Sequence, residues 1–191
     1  MRLVLLILTL QLAAIGQGVI DRVAVVVGNQ IITDSEVRNE VRLTQFLNGQ
    51  PLDLSAAARK EAAERLVDQQ LIKGEMLTGG YQAPGEPEAD ALVRQFRQQN
   101  YPNDAAYHAV LDKYGLTAES VKRHLVWQVT VLRFAEQRFR MANPSPEQSA
   151  DRVTNGSGSA SSKAVEEDEM DAWLKQARSG TKIQFKKGAF Q

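Results

Sequence analysis

The chain contains no cysteine and only two histidines, His108 and His124. Without cysteine it cannot hold a thiol nucleophile, a redox pair, or a cysteine-ligated zinc or iron–sulfur site. Lysine plus arginine and aspartate plus glutamate are balanced at 23 each, so the basic excess of a dedicated nucleic-acid binder is missing. We therefore expect no nucleic-acid partner, no bound metal and no cofactor.

Motifs of common enzyme classes are also missing. The sequence has no Gly-x-Ser-x-Gly, His-Glu-x-x-His, Walker loop or Gly-x-Gly-x-x-Gly. The acidic run at residues 166–169 is typical of a solvated helix N-terminus rather than of an acid–base pair. No catalytic residue can be named, and we expect that the protein is not an enzyme.

The longest apolar run lies at the N-terminus. Arg2 is followed by thirteen residues, 3–15, that only Thr9 and Gln11 interrupt. This run is shorter than the roughly 20 residues of a membrane span, and small residues follow it at 16–18. Residues 1–18 are therefore predicted to be a secretory signal peptide, whose cleavage leaves no integral membrane anchor. The alternative is an uncleaved anchor, because the cleavage zone has glycine where alanine is commoner.

The first segment after residue 18 predicts a hairpin and a helix. Two β-branched runs within residues 23–33 are joined by Gly28 and Asn29, a two-residue loop typical of hairpins. Thr33 followed by Glu36 has the spacing of a capping box. We expect a helix over residues 34–48.

Apolar residues at helical spacing continue through most of the chain. They predict helices at residues 54–78, 88–100, 103–114 and 117–142. In the last of these, an apolar stripe is predicted along Val121, Leu125, Val129, Leu132 and Phe139.

Composition changes after residue 142. Residues 143–166 are rich in serine, glycine, asparagine and acidic side chains and predict a flexible linker. A helix at 168–178 and a strand at 181–187 follow. A strand needs a partner, so the tail, residues 167–191, is predicted to fold back onto the hairpin. The expected fold is mainly α, with a helical domain at 19–142 and a small sheet.

Three apolar side chains are candidates for a binding surface. Trp127 and Phe134 fall off the predicted stripe, so they either widen the core or line a groove. With Met76, whose side chain adapts its shape, they could bind varied apolar segments of polypeptide. We take these three residues as the predicted binding residues.

Three segments, residues 19–37, 64–72 and 171–183, resemble the SurA-type periplasmic chaperones. In that family a hairpin leads into the first helix, and a closing helix and strand pack back on the N-terminal domain. The resemblance implies a periplasmic, ATP-independent holdase that binds unfolded or extended exported polypeptides, including outer-membrane proteins.

The chain departs from the family in one respect. The family places parvulin-type prolyl isomerase domains where this chain has only residues 143–166, so isomerase activity is expected to be absent. Two alternatives stay open, a prolyl isomerase with an unrecognised site and a module dedicated to one envelope partner. A domain-swapped dimer through the linker is a further alternative.

Overall fold

The computed structural model describes residues 21–140 and 158–190. It is mainly α-helical with a small antiparallel sheet, as predicted. In chain order the elements are β1 (Val23–Val27), β2 (Gln30–Thr33), α1 (Asp34–Leu47), α2 (Ala56–Gly79), α3 (Glu86–Asn100), α4 (Asp104–Tyr114), α5 (Ala118–Ala135), a π-helical segment (Glu136–Arg140), α6 (Gly158–Gly180) and β3 (Ile183–Phe185). The predicted signal peptide and residues 143–157 of the predicted linker lie outside the described residues.

The predicted hairpin and capping box are confirmed. Gly28 turns the chain between β1 and β2 with φ 57°, a conformation that side chains with a Cβ rarely adopt. At the start of α1, the Thr33 side chain accepts a hydrogen bond from the Glu36 N–H. The Glu36 carboxylate in turn accepts one from the Thr33 N–H at 2.7 Å. The hairpin therefore runs directly into α1.

The C-terminal strand completes the sheet, which confirms the predicted fold-back of the tail. The strand order is β2-β1-β3, and both pairs are antiparallel. The Gly28 N–H donates to the Lys182 carbonyl, and the Lys186 N–H donates to the Ala24 carbonyl, each at 2.9 Å. Residues at opposite ends of the chain thus share one sheet.

An ion-pair site attaches α6 to α2. The Arg178 guanidinium donates to the Asp68 carboxylate at 2.6 Å, and to the Glu64 carboxylate at 2.7 Å and carbonyl at 3.0 Å. The helix itself begins at Gly158, ten residues before the predicted start at Asp168. Glycine and serine in this segment disfavour helix, but its alanine, lysine and glutamate favour it.

Two clusters of buried side chains form the core. The first lies between the sheet, α1 and α2 and is built mostly from small β-branched residues and alanine. The second is aromatic and joins the end of α1 to α4 and the start of α5; it contains Leu43, Phe46, Tyr107, Leu111, Tyr114, Leu116 and Val121. Since α1 contributes to both clusters, it is the central helix of the fold.

The predicted stripe along α5 is wrong in its second half. Val121 is buried, but Leu132 is 60% exposed and Phe134 is 0% exposed. At about 100° per residue, Leu132 lies about 20° from Val121, whereas Phe134 lies on the opposite side of the helix. The first half of α5 packs on the aromatic cluster, whereas Phe134 in the second half packs on Tyr81, Phe139 and Trp173. The buried face therefore changes along the helix.

Candidate functional site

A groove of about 920 Å³ opens between β2, α1, α2, α5 and the segment that enters α3. Its lining is mixed in character. Its larger apolar side chains are Ile32, Leu43, Leu66, Met76, Leu77, Pro84 and Trp127. A groove of this size, lined by apolar side chains with polar groups between them, has the properties of a site for a peptide segment or a small molecule.

Ion pairs fix α3 against α5 at one side of the groove. The Lys122 ammonium binds the carboxylates of Glu86 and Asp90, the latter at 2.7 Å. Further along α5, Arg133 pairs with Glu88, which lies between Glu86 and Asp90 on α3. The hydrogen bond from Lys122 lowers the pKa of Asp90 and keeps both groups charged. These contacts hold the wall of the groove in place.

Two of the three predicted binding residues line the groove. Met76 on α2 and Trp127 on α5 are both half-buried there. The Lys73 ammonium lies 5.1 Å from the centre of the Trp127 ring, close enough for a cation–π interaction. Next to Met76, Leu77 is 87% exposed, so apolar area at this rim of the groove is open to a partner.

Phe134 does not line the groove, and its prediction as a binding residue is wrong. Its ring is enclosed by the rings of Tyr81 at 4.9 Å, Trp173 at 5.6 Å and Phe139 at 6.2 Å between centroids. Trp127 and Phe134 share one face of α5, but Phe134 lies further along, where α6 covers that face. The first of the two sequence alternatives, core filling, therefore holds for Phe134.

A buried polar group lies in the wall of the groove. Glu40 of α1 is 5% exposed, and its Oε1 accepts a hydrogen bond of 3.4 Å from the Gln69 amide. Arg65 Nε lies 3.5 Å from the same oxygen. Burial lowers the pKa of the nearby His124; Glu40 opposes this effect and Arg65 adds to it. His124 is therefore neutral at pH 7.

Glu40 is not among the binding residues predicted from the sequence, although the sequence carries a signal for it. Glu40 follows Val37 by three residues and precedes Val41 by one, so it falls on the apolar face of α1. A charged residue at such a position needs a partner or a function. Lys73, Leu77 and His124 were also missed as groove residues, because their place depends on how the helices meet.

The described residues include no group of three or more histidine, cysteine, aspartate or glutamate side chains that could hold a metal ion. Within the same part of the chain, no helix combines the length and apolar character needed to cross a membrane. No protein-family model matches the chain, and no curated protein matches it in sequence.

Proposed function

We propose that the protein is a periplasmic, ATP-independent holdase-type chaperone that binds unfolded exported or outer-membrane proteins. The observation that carries this proposal is the groove of about 920 Å³ with its mixed apolar and polar lining. An extended segment placed in it would bury apolar side chains against Met76, Leu77 and Trp127. The polar groups between them can bond to the main chain of the segment.

The sequence supports the same function. The N-terminal run has the features of a secretory signal peptide, and the three segments that resemble SurA-type chaperones include the hairpin and most of the second half of α6, which leads into β3. Without a phosphate-binding loop in the sequence, we expect no nucleotide to drive the cycle, and binding would depend on burial of apolar surface together with main-chain contacts. We expect no prolyl isomerase activity, since the chain has no room for a parvulin domain between α5 and α6.

Light scattering of an unfolded outer-membrane protein, diluted from denaturant with and without the purified protein, tests the proposal. We expect stoichiometric amounts to suppress aggregation. No suppression, together with capture of one folded envelope protein, would favour the dedicated module instead. Acceleration of isomerisation in an Xaa-Pro peptide would favour the enzyme alternative.

A pair of leucine variants links the activity to the groove. Leu77 and Leu132 are both exposed leucines on helices, but only Leu77 lines the groove. Leu77→Asp should raise the concentration needed for half-suppression roughly fivefold, the loss of about 1 kcal/mol of apolar burial. Leu132→Asp should leave it unchanged. Equal effects of the two variants would place client binding outside the groove.

A further inference from the structure

Glu40 is an ionisable group whose burial costs free energy. Of the residues whose side chains the structure describes, it is the only charged one that is buried. It is also part of the groove lining. A carboxylate out of water loses hydration and needs hydrogen-bond donors in its place.

The protein satisfies this carboxylate only in part. The amide of Gln69 reaches Oε1 at 3.4 Å, at the long end of hydrogen-bond distances. Arg65 Nε approaches Oε1 to 3.5 Å but makes no hydrogen bond, and Arg65 Nη1 is closer to Glu61, at 3.0 Å. Within the described residues, Oε2 of Glu40 has no hydrogen-bond partner.

Arg65, which also pairs with Glu61, is the ion-pair partner of Glu40; among the described residues, no cation of the groove lining forms an ion pair with Glu40. His124 is uncharged at pH 7 because burial lowers its pKa. Glu36 lies one turn earlier on α1 and lines the same groove. In the part of the chain that the structure describes, no lysine or arginine lies within ion-pair distance of Glu36. The α1 wall therefore has two carboxylates, and because Arg65 is shared between Glu40 and Glu61, this wall keeps an excess of negative charge.

The cations that line the groove interact with groups other than Glu40. Lys122 binds Glu86 and Asp90, and Arg123 lies 3.5 Å from Glu119. Lys73 lies over the ring of Trp127 and is exposed. Since an exposed charge is screened by water and a buried one is not, Glu40 has the stronger effect on what the groove accepts.

We propose that the groove selects extended polypeptide segments that carry a lysine or arginine side chain within an apolar stretch, and that Oε2 of Glu40 accepts a hydrogen bond from this cation. The inference rests on the proposed function, because it takes the groove as the site that holds unfolded chains. A charge-assisted hydrogen bond in a partly dry site is the strong type, and it would complete the shell of the buried carboxylate.

The test compares two fluorescent peptides that differ in one residue. Both are twelve residues long, apolar and aromatic, and blocked at both ends, with either lysine or glutamine at the centre. Their fluorescence anisotropy is titrated with the purified protein. We expect the lysine peptide to bind about tenfold more tightly than the glutamine peptide. Glu40→Gln should make the two affinities equal, because it keeps the shape of the side chain and removes its charge.

A matched variant separates Glu40 from general electrostatics. Asp112→Asn removes an exposed carboxylate on α4, outside the groove lining, and it should leave the tenfold preference intact. Equal binding of both peptides to the unmodified protein would overturn the selectivity and leave the holdase proposal standing. Failure of both peptides to bind would overturn both proposals. A preference that survives Glu40→Gln would exclude Glu40 as the acceptor.

Discussion

Replacement of Phe134 by alanine should destabilise the fold much more than it affects the groove. The ring is fully buried where three parts of the chain meet. It contacts Tyr81 before α3, Phe139 in the π-helical segment and Trp173 on α6. The substitution therefore removes a contact that joins the tail to the helical domain.

The size of the effect follows from this burial. Full burial of a phenylalanine side chain is worth about 1.5–3 kcal/mol. The cavity left behind raises the cost of Phe→Ala substitutions to about 3–5 kcal/mol, and we expect a value in this range for Phe134→Ala. Phe134→Leu keeps much of the volume and should cost roughly 1–2 kcal/mol.

Urea denaturation followed by far-UV circular dichroism measures these changes as differences in the free energy of unfolding. The control is Trp127→Ala, whose ring is half-buried at the groove and has fewer neighbours to lose; its cost should stay below that of Phe134→Ala. A cost under about 1 kcal/mol for Phe134→Ala, or a larger cost for Trp127→Ala, would refute the assignment of Phe134 to the core.

Three further outcomes test other parts of the structure. Arg178→Gln removes the ion pairs to Glu64 and Asp68; because these groups are about one-third exposed, the cost should be roughly 1 kcal/mol, and the Lys186 amide should exchange its hydrogen faster in hydrogen-exchange experiments. An unchanged exchange rate would show that Arg178 does not hold the tail. Burial lowers the pKa of His124 in the fold, so the unfolded chain, in which the pKa is about 6.5, binds more protons as the pH falls; the free energy of unfolding should therefore decrease from pH 7 to pH 5, and less steeply in His124→Gln. Equal slopes in pH-dependent denaturation would contradict this. Thr33→Ala removes the capping box of α1 and should cost about 1 kcal/mol in the same assay; a neutral result would mean that the cap adds nothing to stability.

Local patterns were enough to predict the elements and the sheet. The capping box of Thr33 and Glu36 could be predicted because it depends on two residues three positions apart in the sequence. The partner of β3 could be inferred because a lone strand is not stable and the hairpin was the other strand pattern in the sequence. In the first case the contacting residues lie close in sequence, and in the second the sequence offered one candidate partner for the strand.

The candidate site depended on information that the sequence does not carry locally. Whether Phe134 faces a groove or the core is decided by α6, which packs over it from more than thirty residues further along the chain. Leu132 continues the line of Val121, yet it is 60% exposed and no element among the described residues covers it. Whether the Glu40 side chain lies in the wall of the groove likewise depends on where α2 and α5 lie relative to α1.

The central claim is that unfolded chains bind in the groove, and the fluorescence of Trp127 tests it most directly. The chain has two tryptophans, so Trp173→Phe leaves Trp127 as the reporter while keeping an aromatic ring beside Phe134. On addition of an unfolded outer-membrane protein made without tryptophan, we predict that Trp127 emission shifts to shorter wavelength and becomes less accessible to a soluble quencher. Unchanged Trp127 emission under conditions where aggregation is suppressed would contradict binding in the groove.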